Sequence, residues 1–445
     1  MGFFGRGIAG GVHLPHLKST ADYETVVMPV PKSVLICMQQ HIGSPCVPAV
    51  RPGDQVSVGQ IIGDCGDLVS APVHASVSGR VAGIERVLLP SGKWTDSIRI
   101  ESDGKQTMHP SVKPPEVYGP EDLAAAVRAS GLVGLGGAGF PTHVKLKTPG
   151  STEAGDDNKI DTLLINGAEC EPYITADYRE MMESAEDVIG GVFLIKKLLG
   201  IPNAVIAVEM NKPKAIAALS AAARKYADKQ GGGKINVVSL RTIYPQGAEK
   251  VLVYSCLGRK IPQGGLPSDA GCMMLNVSTA AFIYRYLQDG VPLIKKRVTV
   301  DGSAMIEPKN VMVPIGASLD DVIKFCGGYK AEPGVILVGG PMMGMAMYTR
   351  DMPLLKPHNG LLAIDRKDSA PRDATECLRC GRCAEACPMR LRPSSIENKV
   401  KDRNVTGLKQ FSVGNCIECG CCAFVCPARR RLVQYMRLGK KMSMD

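Results

Sequence analysis

Four cysteines, Cys377, Cys380, Cys383 and Cys387, recur 39 residues later as Cys416, Cys419, Cys422 and Cys426, and in both copies the last cysteine precedes a proline, Pro388 or Pro427. Gaps of two residues let three thiolates on one tight loop reach three iron corners of a single cubane. The fourth cysteine, beside a proline that turns the chain, lies near the other cluster in folds that hold two. The spacing therefore predicts two four-iron clusters. One is held by Cys377, Cys380, Cys383 and Cys426, the other by Cys416, Cys419, Cys422 and Cys387. Zinc is the competing reading, but four-cysteine zinc sites use two separated Cys-x-x-Cys pairs rather than three consecutive ones. Cys421 interrupts the second copy and reads as a spare buried thiol.

A second stretch offers different chemistry. Residues 131–145 read GLVGLGGAGFPTHVK, with Gly134, Gly136 and Gly139 in a G-x-G-x-x-G pattern. A dinucleotide fingerprint follows a strand and opens a helix, whereas this loop follows a helical stretch at 121–130, so an ordinary nicotinamide Rossmann site is not expected. Gly137, Ala138 and Pro141 still suit a backbone that approaches a phosphate and then begins a helix with proline in its first turn. On the glycines alone, a phosphate loop and a ligand-free turn are equally good readings.

The elements that must hold these residues follow from composition and periodicity. The chain has 445 residues, 45% hydrophobic and 22% charged, which suits several domains with separate cores and excludes a disordered chain. The most apolar stretch, 188–208, is broken by Lys196, Lys197 and Pro202, so no membrane span is expected. The glycine-rich opening, MGFFGRGIAGGVHLPHLK, carries no signal-peptide pattern. Eight of the 16 cysteines crowd into the two motifs, which fits metal binding in a reducing compartment better than a disulfide framework. The net charge of +10 is concentrated near them, with 17 Lys and Arg against 8 Asp and Glu between Arg366 and Asp445. A four-iron cluster with four thiolates is anionic, so this surplus reads as charge compensation rather than a nucleic-acid surface.

Residues 1–108 carry short alternating runs bounded by turn pairs such as Pro52-Gly53, which predict a small β unit. Its RPGDQVSVGQIIG and APVHASVSGRVAGI resemble the biotinyl/lipoyl carrier sandwich, but no lysine between Pro52 and Gly92 could accept a prosthetic group. Over 115–292, helical periods alternate with apolar runs: helix 121–130, strand 162–165, helix 179–199, strand 204–208, helix 213–229 and strand 235–240. This predicts an α/β layer with a parallel sheet. Residues 293–366 return to short β runs around one helix, 318–326, as in a β-grasp module. Residues 367–445 form the cysteine module, with a helical stretch at 394–411 between its motifs.

GLGGAGFPT with Lys145, then INGAECEP, YPQGAEK and LNVST, follow in the same order and at similar spacing as in the NADH-binding flavoprotein subunit of respiratory complex I. The resemblance implies noncovalent FMN. Gly134, Gly136 and Lys145 would contact the flavin phosphate and ring, Asn166 and Glu169 the ribityl and isoalloxazine, and Glu171 would lie on the nicotinamide side as the catalytic residue. Gly247, Glu249 and Asn276 would complete the pocket. Leu135, Ala168 and Ala248 depart from that family's arginine, aspartate and first glutamate. Over the whole chain, GGVHLPHLK, QHIGSPCVPAVRPGDQV, GLGGAGFPTHVKL and INGAECEPYITADYREM resemble the C-type subunits of the Rnf complex, the ion-translocating ferredoxin:NAD oxidoreductase. That resemblance implies a peripheral translocase subunit on the cytoplasmic face of the bacterial membrane, in which FMN links NAD(H) to two 4Fe-4S clusters. Its partners would be the membrane-embedded Rnf subunits, the iron–sulfur B-type subunit, NADH and, indirectly, ferredoxin, but no nucleic acid. The cobalamin reductase of propanediol utilisation shares the flavin and cluster segments, and a cluster-carrying scaffold without nucleotide is the further alternative.

Overall fold

The computed structural model describes residues 7–147, 160–230, 234–370 and 373–444; residues 1–6 of the glycine-rich opening lie outside it. The alternation of apolar strands and helices forms a four-stranded sheet in the order Ile235–Leu240, Asn203–Glu209, Thr162–Gly167, Cys272–Asn276, parallel throughout. Thr162–Gly167 is apolar along its length because both its faces are covered. Leu163 and Ile165 enter the core beneath helices Ala185–Leu198 and Val277–Asp289, while Leu164 faces the opposite core with Leu252 and Val253 of helix Glu249–Leu257.

Two antiparallel sheets make the N-terminal unit: Ser33–Cys37, Trp94–Ser102, Gly79–Leu88 and Gln55–Val56 in one, and Val47–Pro48, Ile61–Asp64 and Val73–His74 in the other. They enclose Val34, Ile36, Ile62, Val77, Ile98 and Ile100. The third unit is a six-stranded sheet, Val26–Val27, Lys309–Pro314, Lys295–Asp301, Gly360–Asp365, Pro333–Val338 and Met345–Ala346. It carries the helix Leu319–Phe325, started by the Ser318 side chain, which accepts from the Asp320 N–H. Its edge strand, Val26–Val27, comes from the N-terminal segment.

The cysteine module is built of short helices, Arg382–Glu385, Pro393–Lys401, Val405–Gln410, Cys421–Phe424 and Leu432–Met444, around Ile396, Val400, Leu408, Val413 and Met436. The duplication is visible in the backbone. Left-handed residues occur at Arg379, Gly381 and Arg390 and again at Glu418, Gly420 and Arg429, each 39 positions on. The helix expected over 179–199 is two, Ala176–Glu183 and Ala185–Leu198, interrupted at Ser184. The break leaves the Glu183 carboxylate free to take the Thr25 N–H, Arg179 and Arg297, while Glu186 and Asp187 favour a fresh helix start.

Candidate flavin and iron–sulfur sites

Strand order in the parallel sheet reverses between Thr162–Gly167 and Cys272–Asn276, and ligands of open α/β sheets bind outside the carboxyl ends of strands at such a point. Asn166 and Asn276 stand there side by side in register. Asn166 donates through Nδ2 to the Gly247 carbonyl (2.8 Å) and accepts the Ala168 N–H at Oδ1 (3.0 Å). Asn276 caps helix Val277–Asp289 by accepting the Ser278 N–H (2.9 Å), and its Nδ2 donates to Asp177 (2.7 Å). Above them the glycine loop exposes Gly136, Gly137 and Ala138 as nearly bare backbone. A Cβ on Gly136 would come within 3.2 Å of the Asn276 amide nitrogen. Lys145, on the short helix Thr142–Leu146, donates to Glu249 Oε1 (3.1 Å) and to the Met274 carbonyl (3.3 Å). Gly134, Gly136, Lys145, Asn166, Gly247, Glu249 and Asn276 are thus gathered at one end of the sheet.

Glu169 and Glu171 leave the same strand end with their carboxylates engaged by neighbours. Glu169 accepts the Asp177 and Tyr178 N–H groups at the start of helix Ala176–Glu183 (2.7 and 3.3 Å), and burial pushes its carboxyl above the usual range. Glu171 accepts the Met342 and Met343 N–H groups of the third unit (3.0 and 2.9 Å); burial raises it as well. Leu135, one of the departures from the complex I pattern, turns its side chain into the core with Leu132 and Val277.

Four lysines that sequence reasoning missed hold these loops by their carbonyls. Lys18 donates to Glu169 O (2.9 Å), Glu171 O (2.8 Å) and Ile174 O, and Lys212 to Glu169 O (3.2 Å) and the Glu209 carboxylate (2.6 Å). Lys296 spans Leu135 O and Lys356 O at 2.9 Å each. Lys356, fully buried, joins Pro72 O and Gly131 O at 2.7 Å each. Burial pulls Lys296 and Lys356 down to about 7. Lys18, Lys296 and Lys356 have no local mark in the sequence, because their partners lie far away along the chain.

The cysteines divide between two cavities. Cys377, Cys380, Cys383 and Cys426 line one, with Arg379, Arg382 and Arg430. Cys387, Cys416, Cys419 and Cys422 line a narrower one, with Cys421, Met389 and Met436. Cys377 and Cys380 are exposed, whereas Cys419, Cys421 and Cys422 are buried, so the first cavity is outer and the second inner. Among the described residues no three or more His, Cys, Asp or Glu converge as the ligand shell of a single ion. Burial pushes the inner thiols of Cys416 and Cys422 up to about 11 and about 12. Iron bound there would draw off these protons, since a coordinated thiol ionises outright. The donors are all soft sulfur, as a cluster requires, and Lys440, donating to the Cys416 carbonyl (3.2 Å), supplies nearby positive charge.

The inner cavity adjoins the flavin-type loops. The Tyr244 hydroxyl donates to the Cys419 carbonyl (2.7 Å), and the Cys421 thiol faces the Tyr244 carbonyl at 3.9 Å. Tyr244 is three residues from Gly247, whose carbonyl Asn166 holds. Val12, Tyr244, Ala386, Cys419 and Cys421, flanked by Cys170 and Met342, form a small apolar core between the two sites.

The bare glycine backbone at a sheet switch point and two all-cysteine cavities define an iron–sulfur flavoprotein. Family models agree: the RnfC barrel sandwich hybrid domain matches residues 6–105, the Nuo51 FMN-binding domain 127–285, the SLBB domain 297–346 and a 4Fe-4S dicluster domain 370–427. The chain is 43% identical over 433 residues to the C-type subunit of the proton-translocating ferredoxin:NAD(+) oxidoreductase complex of Clostridium ljungdahlii, covering 96% of this chain and 92% of that protein. It is 43% identical to the C-type subunit of the Na(+)-translocating complex of Acetobacterium woodii, with 87% and 86% covered. It is 38% identical to the corresponding protein of Pseudomonas aeruginosa, covering 87% of this chain and 49% of that longer protein. An NAD+-reducing [NiFe]-hydrogenase shares the fold with TM-score 0.52 at 18% identity, covering 73% of this chain and 63% of the other. The chain belongs to the family of C-type subunits of the ion-translocating ferredoxin:NAD(+) oxidoreductase complexes.

Proposed function

We propose that this chain is the NADH-binding subunit of such a complex, an oxidoreductase that joins nicotinamide chemistry to one-electron transfer. Gly134, Gly136, Lys145, Asn166, Glu169, Gly247, Glu249 and Asn276 hold FMN, and Glu171 lies on the nicotinamide side, its carboxylate oriented by the Met342 and Met343 amides. When bound, FMN takes or returns an electron pair as hydride with NAD(H) and trades single electrons with the clusters, which accept only one at a time. The chain's own part is to fix geometry. Asn166 and Asn276 orient the loops, Lys145 stands at the same sheet end paired with Glu249, and the inner cysteines would offer sulfur donors to iron.

One observation carries this reading: the flavin-type cleft and the inner cysteine cavity meet through Tyr244 and Cys419. Electrons would pass between the flavin and the cluster of Cys387, Cys416, Cys419 and Cys422. From there they would reach the cluster of Cys377, Cys380, Cys383 and Cys426, whose exposed ligands suit exchange with a neighbouring protein. The functional units would run over 1–108, 115–292, 293–366 and 367–445. No described helix is long and apolar enough to cross a membrane. As in the complexes its relatives are named for, the protein would be bound to membrane-embedded and iron–sulfur companions, peripherally on the cytoplasmic face, with ferredoxin reached indirectly. Ion transport would belong to those companions. The purified chain, reconstituted with iron and sulfide and incubated with FMN, should retain flavin noncovalently and reduce an artificial acceptor with NADH. Iron–sulfur absorbance without retained flavin would overturn the proposal.

A further inference from the structure

We propose that the strap of residues 10–18 is a positioning element for electron transfer, fixing the separation between the flavin and the inner cluster by gripping both sides at once. This rests on the flavin and cluster reading above and adds to it an element that supplies none of the residues assigned to hold FMN or iron.

The strap's first turn lies between the two sites. Gly11 donates its N–H to the Ala386 carbonyl (2.9 Å), one residue before the ligand Cys387. The next residue, Val12, forms a two-way antiparallel bridge with Tyr244: its N–H reaches the Tyr244 carbonyl (2.8 Å), and the Tyr244 N–H reaches its own (2.9 Å). Adjacent amides of the strap therefore bind the cysteine module and the flavin domain respectively. Both glycines are required by this fit. Gly10 and Gly11 have φ of +68° and +88°, and a Cβ on either would lie 2.8 Å from the backbone of Cys387 or of Tyr244. Farther along, the His16 carbonyl accepts the Tyr173 N–H (3.0 Å). The strap ends at Lys18, whose ammonium binds the carbonyls of Glu169, Glu171 and Ile174. One short segment thus ties the Glu169–Glu171 loop, the Tyr244–Gly247 turn and the inner cluster loop together, and Val12 and Leu14 pack into the small apolar core between the sites.

The step concerned moves one electron between flavin and an oxidised or reduced inner cluster. No bond to iron or sulfur forms or breaks, the flavin's proton passes to or from water, and the electron pair originates in or returns to NAD(H). Its rate depends steeply on separation, so a strap that sets the separation sets the rate without touching hydride chemistry.

The test uses the full chain loaded with FMN and both clusters, mixed anaerobically with NADH while flavin and iron–sulfur absorbance are followed separately. In Gly11→Ala the bleaching of flavin should keep its wild-type rate, while cluster reduction slows severalfold relative to it. Amide exchange at Val12 and Tyr244 should quicken. Lys18→Met, which keeps the stem and releases the strap's far end from the Glu169, Glu171 and Ile174 carbonyls, should slow cluster reduction relative to flavin bleaching in the same direction and decides the matter if Gly11→Ala loses iron or flavin. Cluster reduction that keeps pace with flavin bleaching in the variant that stays loaded overturns the strap proposal. A wild-type chain that fails to bind FMN or to reduce its clusters overturns instead the functional reading on which it rests.

Discussion

Asn276 shows how much one side chain carries. Its amide oxygen caps helix Val277–Asp289, its amide nitrogen fixes Asp177, and it crowds against Gly136 beside Asn166. Asn276→Ala should cost about 1 kcal/mol for the lost cap, measured by thermal or denaturant unfolding, and should weaken FMN retention more than Ser278→Ala does, measured by flavin released on gel filtration. Equal retention in the two variants would remove Asn276 from the pocket. Lys356 makes a prediction of the opposite kind. Its ammonium is protonated in the unfolded chain up to about 10.4, but in the fold only below about 7. Between those values the unfolded chain binds more protons, so stability rises with pH. Lys356→Met should flatten that rise in melts taken from pH 7 to pH 9, and parallel slopes would contradict the burial of a neutral amine.

At the scale of elements, the cysteine module is the most legible part of the sequence, because a cluster loop is dictated by spacing along the chain. The repeat of 39 residues reappears as matched left-handed positions and as two cavities, each lined by three cysteines of one motif and the fourth of the other. Cys387→Ala should therefore remove the cluster signal of Cys416, Cys419 and Cys422 in electron paramagnetic resonance and spare the other. Loss of the signal belonging to Cys377, Cys380 and Cys383 would reverse the assignment. The parallel sheet was also legible, since strands covered on both faces are apolar throughout. Less visible were features made by distant segments. The split at Ser184 depends on what Glu183 binds, and Thr25 and Arg297 are far away in sequence. Lys18 and Tyr244 stand in GGVHLPHLK and YPQGAEK, two segments that carry the family resemblance, but neither segment shows what these side chains bind. The pair Gly10-Gly11, at the head of the GGVHLPHLK segment, was the one available hint that backbone would pass close to backbone there.

Over the whole molecule, several of the contacts that join the four units lie around the candidate redox sites. Lys356 links the barrel-like unit and the β-grasp unit to the glycine loop, Glu171 links the flavin domain to the Met342–Met343 turn, and Tyr244 links it to the cysteine module. Domain interfaces that would otherwise permit relative motion are thus pinned where cofactors must keep their separation, and the basic surplus sits beside anionic clusters. Flavin and both clusters forming one path within this chain has a direct consequence in an anaerobic titration of the chain, loaded with FMN and iron–sulfur clusters, with NADH in the absence of any companion protein. Flavin and iron–sulfur absorbance should both bleach, and both clusters should become paramagnetic. Flavin that bleaches while both clusters stay oxidised, at a potential where dithionite reduces them, would contradict it.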